Sequence, residues 1–324
     1  MKKALIRLGI LACMLCAMLL PSYAANVKQL IPVGETVGLD IRTDGVLVVG
    51  YSDKLIPTPA EQAGVAPGDV ITAIGGIEVE SCQDMCDALA GMDGSPVTVE
   101  LTRGGKSVEL TVTPFSGEER CELGVWLRDS IAGIGTVTYY DPGTGSFGSL
   151  GHPITDIDTG VIVPISGGEV LESTVTDVVA GSAGSPGQLV GDFGLDGAIG
   201  SVISNTEYGV FGSVDIPFDG EPIDVAGEDE VKTGPAKILS NVSGDEVEEY
   251  DIEISRIYSG LGGHGMLITV TDQDLLEVTG GIVQGMSGSP IIQDGKLVGA
   301  VTHVLINDPS RGYGVFIDNM LGAA

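Results

Sequence analysis

The sequence predicts a mostly β chain, and three observations lead there. Val, Ile, Leu and Ala supply most of a 43% hydrophobic fraction in which aromatics reach only 5%. The 50 glycines break the apolar runs about every eight to twelve positions, the spacing of short strands joined by turns. Helical periodicity is nearly absent outside Cys82 to Met92 and a short stretch from Asp272 to Glu277. At 324 residues the length suggests about two domains, and the texture changes near residue 115.

The first segment reads as a targeting sequence. Met1-Lys2-Lys3 and Arg7 form a positive start, Leu8 to Leu20 is apolar, and Pro21-Ser22-Tyr23-Ala24 offers small residues for cleavage after Ala24. Residues 1–25 are therefore expected to be a signal peptide or a retained membrane anchor, with the bulk of the chain exported.

Residues 27–114 read as one unit. A strand-like run, Gly45-Val46-Leu47-Val48-Val49, is followed by Ala63-Gly64-Val65-Ala66-Pro67-Gly68-Asp69-Val70-Ile71. The segment Cys82 to Met92 then reads as a helix, before two strands joined by Gly104-Gly105. This order resembles a PDZ domain of the bacterial protease type. The resemblance implies capture of a peptide C-terminus by the backbone of a Gly-φ-x-φ loop, with the peptide added as a strand. The matching residues are taken as Gly38, Leu39, Asp40 and Ile41. Asp40 sets a carboxylate beside a carboxylate site, so a structural or autoregulatory role for the domain stands as an alternative.

Residues 115–324 carry Gly-punctuated apolar runs, among them Gly133 to Thr138, Ile252 to Ile257 and Lys296 to Val304. They predict an all-β barrel or a pair of barrels. The acidic, Gly- and Pro-containing stretch from Phe218 to Gly234 reads as a surface loop.

Composition narrows the function. With 15 basic and 45 acidic residues the net charge is −30, which argues against nucleic acid as a partner, because phosphate neutralisation needs clustered Lys and Arg. Cys13 and Cys16 fall in the leader, and Cys82, Cys86 and Cys121 receive no chemistry. No His or Cys cluster supplies the ligands of a closed zinc site, so neither metal nor cofactor is expected.

The run Gly280-Gly281-Ile282-Val283-Gln284-Gly285-Met286-Ser287-Gly288-Ser289-Pro290 sets a tight small-residue turn between apolar segments. Such a turn exposes a hydroxyl and leaves backbone N–H groups uncovered, both of which a nucleophilic serine requires. A base is available in Gly148-Ser149-Leu150-Gly151-His152-Pro153, which holds one of only three histidines.

With Gly299-Ala300-Val301-Thr302-His303-Val304 and Asn307-Asp308-Pro309, these stretches resemble the SpoIVB peptidase family, sporulation proteases of endospore-forming bacteria. The resemblance covers residues 27 to 324. It implies a serine peptidase with a chymotrypsin-like double β-barrel after the PDZ domain. It also implies Ser287 as nucleophile, His152 as general base, Asp272 as the orienting carboxylate, and an oxyanion hole on the N–H groups of Gly285 and Ser287. The family further implies secretion into the forespore intermembrane space and cleavage of a membrane-bound regulator of an intramembrane protease. Late sigma-factor activation follows that cleavage, and self-cleavage accompanies it.

Alternatives remain at several positions. His264 and His303 are other histidines, and Ser289 is a second serine in the turn. Asp156, Asp158 and Asp274 compete with Asp272, which also reads as a helix N-cap. Among function classes, a catalytically weak PDZ scaffold and an HtrA-like quality-control protease are the rivals.

Overall fold

The structure, a computed structural model, describes residues 28–54, 56–117, 120–258 and 265–324. The expected leader, 1–25, and His264 lie outside the described residues.

In chain order, β1 (Gln29–Pro32) precedes the long β2 (Thr36–Tyr51), then α1 (Pro59–Ala63), β3 (Val70–Ile74), β4 (Ile77–Glu78) and α2 (Cys82–Ala90). Next come β5 (Val97–Arg103), β6 (Lys106–Val112), β7 (Phe115–Ser116), β8 (Cys121–Glu122) and the second long strand, β9 (Val125–Asp141). β10 (Ser146–Ser149), β11 (Ile165–Val179), β12 (Gln188–Thr206), β13 (Gly209–Val214) and β14 (Ile223–Asp224) follow. The last third holds β15 (Gly234–Ser243), β16 (Glu246–Ile257), β17 (Met266–Val270), α3 (Gln273–Thr279), β18 (Pro290–Gln293), β19 (Lys296–Leu305), β20 (Asp308–Phe316) and α4 (Ile317–Ala323).

Two closed barrels result, as the fold class predicted. In the first, β2 pairs with β9, β9 with β10, β10 with β13, β13 with β12, β12 with β11, and β11 returns to β2. The second closes in the order β15-β16-β17-β20-β19-β18. Alternation builds the interiors: along β16, Tyr250, Ile252 and Ile254 are buried while Asp251, Glu253 and Ser255 face water. On this strand the acidic side chains thus sit on the outer face. Leu30 of β1 and Tyr139 and Phe211 of the first barrel pack on Leu297, Ala300 and Val315 of the second, with Ile317 and Met320 of α4 closing the seam.

The PDZ unit is inserted into the first barrel, which corrects the expected boundaries of 27–114 and 115–324. Thr36 to Arg42 of β2 pair with Ser130 to Thr136 of β9 inside the barrel, while Leu47 to Tyr51 pair with Val125 to Arg128 inside the PDZ. Both strands therefore run through both units. Ile31, Val37, Leu39 and Ile41 share a core with Val137, Phe147 and Val170, whereas Val46 and Val48 pack with Ile71, Met85 and Leu101.

The PDZ elements follow their local signals. Thr58 caps α1 in a reciprocal box with Glu61, Pro59 occupies the first turn, and Gly64 ends the helix in the left-handed region. Ser81 and Asp84 form the same box on α2. Buried Asp69 receives Nε and Nη2 of Arg103 at 2.7 and 2.6 Å and the Ala66 N–H at 2.8 Å, locking the Pro-Gly-Asp turn.

Candidate active site

The Ser287 turn links α3 to β18 and docks against β9. The Thr136 N–H donates to the Ser287 carbonyl at 3.0 Å, and its Oγ1 donates to the Gly285 carbonyl at 2.7 Å. Gly288, at φ +102°, allows this approach: a Cβ there would lie 1.9 Å from the Thr136 carbonyl oxygen. Gly285 also has positive φ. Among the described residues, the N–H groups of Gln284, Met286, Gly288 and Ser289 all donate to carbonyls, and those of Gly285 and Ser287 make no such bond. Gly285 and Ser287 are the two residues whose N–H groups the sequence resemblance assigned to an oxyanion hole.

The serines of the turn have different surroundings. Ser289 is fully buried and its hydroxyl donates to Ser240 Oγ at 3.2 Å. Ser287 is half-buried in a cleft of about 560 Å³, where its Oγ donates to the Thr302 carbonyl at 2.7 Å.

His152 reaches the same cleft from the first barrel. After β10 the chain turns through two consecutive left-handed residues, Leu150 at φ +66° and Gly151 at φ +68°. The His152 Nδ1–H donates to the Pro153 carbonyl at 2.9 Å, a tautomer that leaves Nε2 as the acceptor. Burial lowers the pKa of His152, and the Pro153 bond opposes that shift only in part. The shift favours the neutral imidazole. Its ring lies against that of His303, with centroids 4.8 Å apart and planes 40° apart.

Asp272 is not with these residues, and its expected role as orienting acid is corrected. Its Oδ1 accepts the N–H groups of Asp274 and Leu275 at 3.1 and 3.0 Å, and its Oδ2 accepts the Asp251 N–H at 3.2 Å. It is the N-cap of α3. The described residues lining the cleft include no Asp or Glu. Of the competing acids, Asp156 and Asp158 are ion-paired with Arg128, and Asp274 lies beside Tyr250 and Glu248.

The assignment of Gly38, Leu39, Asp40 and Ile41 to a peptide-binding loop is also corrected. These residues pair with Ile134 to Ile131 of β9 on one edge and with Leu171 to Gly168 of β11 on the other. With both edges consumed, no backbone donors remain for a peptide. The sequence reading overlooked a second Gly-φ-x-φ stretch, Gly124-Val125-Trp126-Leu127. Val125 and Leu127 pack on the PDZ core, and Asp129 Oδ2 accepts the Cys82 N–H of α2 at 2.7 Å. Among the described residues, Val125 to Arg128 pair with β2 on a single edge. The motif itself was a signal, masked by its position after the expected end of the domain.

Cys82, Cys86 and Cys121 are free thiols. Burial and neighbouring Asp129 push Cys82 up to about 12, so it is a protonated, unreactive thiol.

Two β-barrels with a serine turn and a histidine meeting in one cleft define a serine peptidase, here carrying an inserted PDZ domain. The chain belongs to the SpoIVB peptidase S55 family, whose match covers residues 119–321, and a PDZ domain match covers residues 55–103. It is similar to serine protease HTRA1 of Xenopus tropicalis, 40% identical over 20% of this chain and 14% of that one. Zinc metalloprotease RasP of Shouchella clausii is 38% identical over 17% of this chain and 13% of its own length. Mitochondrial serine protease HTRA2 of Drosophila sechellia is 35% identical over 22% and 16%, respectively. The chain spans less than a quarter of the length of these relatives. Because they include serine and zinc proteases alike, the S55 match carries the serine chemistry.

Proposed function

We propose that the chain is an exported endopeptidase in which Ser287 is the nucleophile and His152 the general base. Ser287 Oγ leaves the Thr302 carbonyl, passes its proton to His152 Nε2 and attacks the scissile carbonyl. The N–H groups of Gly285 and Ser287 receive the oxyanion. The imidazolium then protonates the leaving amine, and water repeats the sequence to release the acid. Pro153 takes the place of the acid in fixing the tautomer. The observation that best supports this reading is that Ser287 and His152, borne by different barrels, line one cleft.

Membership of the S55 family supports a sporulation role: secretion from the forespore, cleavage of a membrane-bound regulator of an intramembrane protease, and self-cleavage. The PDZ domain supports a protein substrate or partner, whose C-terminal segment would add along Val125 to Arg128. The cleft wall, formed by Leu39, Ile134, Ile282, Val283 and Val304, bears no charge and suits an aliphatic substrate side chain.

Turnover of a peptide library by wild type, Ser287→Ala and Ser289→Ala tests the assignment. Ser287→Ala is expected to lose at least about a thousandfold in kcat, since removing a nucleophile abolishes the acyl step. Ser289→Ala keeps measurable activity. Wild-type turnover by Ser287→Ala would refute the nucleophile.

A further inference from the structure

Among the described residues the cleft lining offers His152 no carboxylate, and one side chain binds the backbone of its loop closely. Asn205, at the end of β12, donates through Nδ2 to the carbonyls of Ile154 and Val163, each at 2.9 Å. Its Oδ1 accepts the Ile154 N–H, also at 2.9 Å. The amide thus binds both backbone groups of the residue two places after His152. It also ties the two ends of a small hairpin, in which Val163 N–H donates to Ile154 O at 3.0 Å and Thr155 bridges Ile162.

We propose that Asn205 is a positioning residue for the catalytic base: its carboxamide fixes the hairpin at Ile154 and so holds His152 in the cleft beside Ser287. The inference rests on His152 being the base.

The chemistry demands asparagine. Two carbonyls need two N–H donors and one N–H needs an acceptor, a set that a primary amide supplies. An aspartate of the same shape would face two carbonyl oxygens with no donor. Leucine would leave all three backbone groups unpaired. On the near side of His152, Leu150 and Gly151 are already fixed in left-handed geometry, so the Asn205 clamp completes the support from the far side. A displacement of about 1 Å in a reacting group can cost about a hundredfold in rate.

The test uses the full chain as wild type, Asn205→Asp, Asn205→Ser and His152→Ala, with thermal unfolding verifying the fold. Peptide turnover gives kcat and KM across pH, and a fluorophosphonate probe gives the rate of Ser287 modification. Asn205→Asp is expected to lower kcat by about a hundredfold with KM within about twofold. The acid limb of kcat/KM should move toward the ordinary imidazole value as the ring leaves its buried setting. Asn205→Ser offers at most one donor without adding a charge and should fall between. If Asn205→Asp does not fold, the serine variant decides alone by the same two readouts. An unchanged kcat and acid limb in a folded variant, with His152→Ala inactive, would overturn the positioning role while sparing the base. Activity in His152→Ala would overturn both.

Discussion

Arg128, on the strand leaving the PDZ unit, grips Asp156 in the loop that follows His152. Its second Nη reaches Asp158 at 2.8 Å. Asp156 is 1% exposed and also accepts the N–H groups of Asp158 and Thr159. Nearby, the Asp44 N–H donates to the Pro164 carbonyl, and Gly68 of the PDZ lies against Val161. The PDZ junction and the loop carrying His152 are thus one packed unit.

Arg128→Met keeps the apolar stem but leaves a buried carboxylate without its counter-charge. We expect a loss of about 3 kcal/mol, the cost of orphaning a buried ion, together with slower fluorophosphonate modification. Urea denaturation and probe kinetics measure the two effects, and a variant as stable as wild type would remove the pair from the loop's support.

Asp272→Asn separates a helix cap from a triad acid. Asn caps about as well as Asp, and the three N–H groups that Asp272 accepts do not need its charge. Turnover should stay within about twofold of wild type, whereas a true triad acid would lose about 10⁴-fold. Asp272→Ala should cost about 1 kcal/mol in unfolding with its chemistry intact.

The insertion predicts which fragments fold. A fragment beginning at residue 115 lacks Thr36 to Thr43 and so lacks a barrel strand paired on both edges; soluble, cooperative unfolding is not expected from it. Excising 46–127, so that Asp44, Gly45 and Arg128 form a short turn between Thr43 and Asp129, should leave a folded peptidase, because Arg42 already pairs with Ser130. Circular dichroism melts of the two proteins check this. A well-folded 115–324 fragment would show that β2 is dispensable.

The pH dependence follows from His152. Its folded pKa lies below the ordinary 6.5, so kcat/KM should fall only as pH drops through that lowered value. The sign for stability runs the same way. Below 6.5 the unfolded chain takes up a proton that the folded imidazole resists, and this contribution to stability declines with falling pH. A pH–rate profile with its acid limb above 6.5 would contradict the buried neutral base.

Local chemistry was legible in the sequence where the physics is local. The Ser287 turn announced itself because Gly285 and Gly288 carry positive φ between apolar runs, and the PDZ core because Pro67-Gly68-Asp69 builds its own turn. The strand rows were legible as apolar runs punctuated by glycine. The domain insertion was not, because β2 and β9 cross between units without a break in strand composition, so no linker marks the boundary. Asp272 was ambiguous because a carboxylate before a short helix carries the same local signal as cap or catalyst. Only long-range placement separates those readings. Asn205 gave no signal, since its three partners lie on a loop more than forty residues earlier.

The most direct test of the central claim, that Ser287 is a nucleophile activated by His152, is modification by a fluorophosphonate with the adduct mapped by mass spectrometry. In the wild-type chain we expect a single adduct on Ser287, lost in His152→Ala and retained in both Asp272→Asn and His303→Ala. An adduct on Ser289, or an undiminished rate in folded His152→Ala, would contradict it.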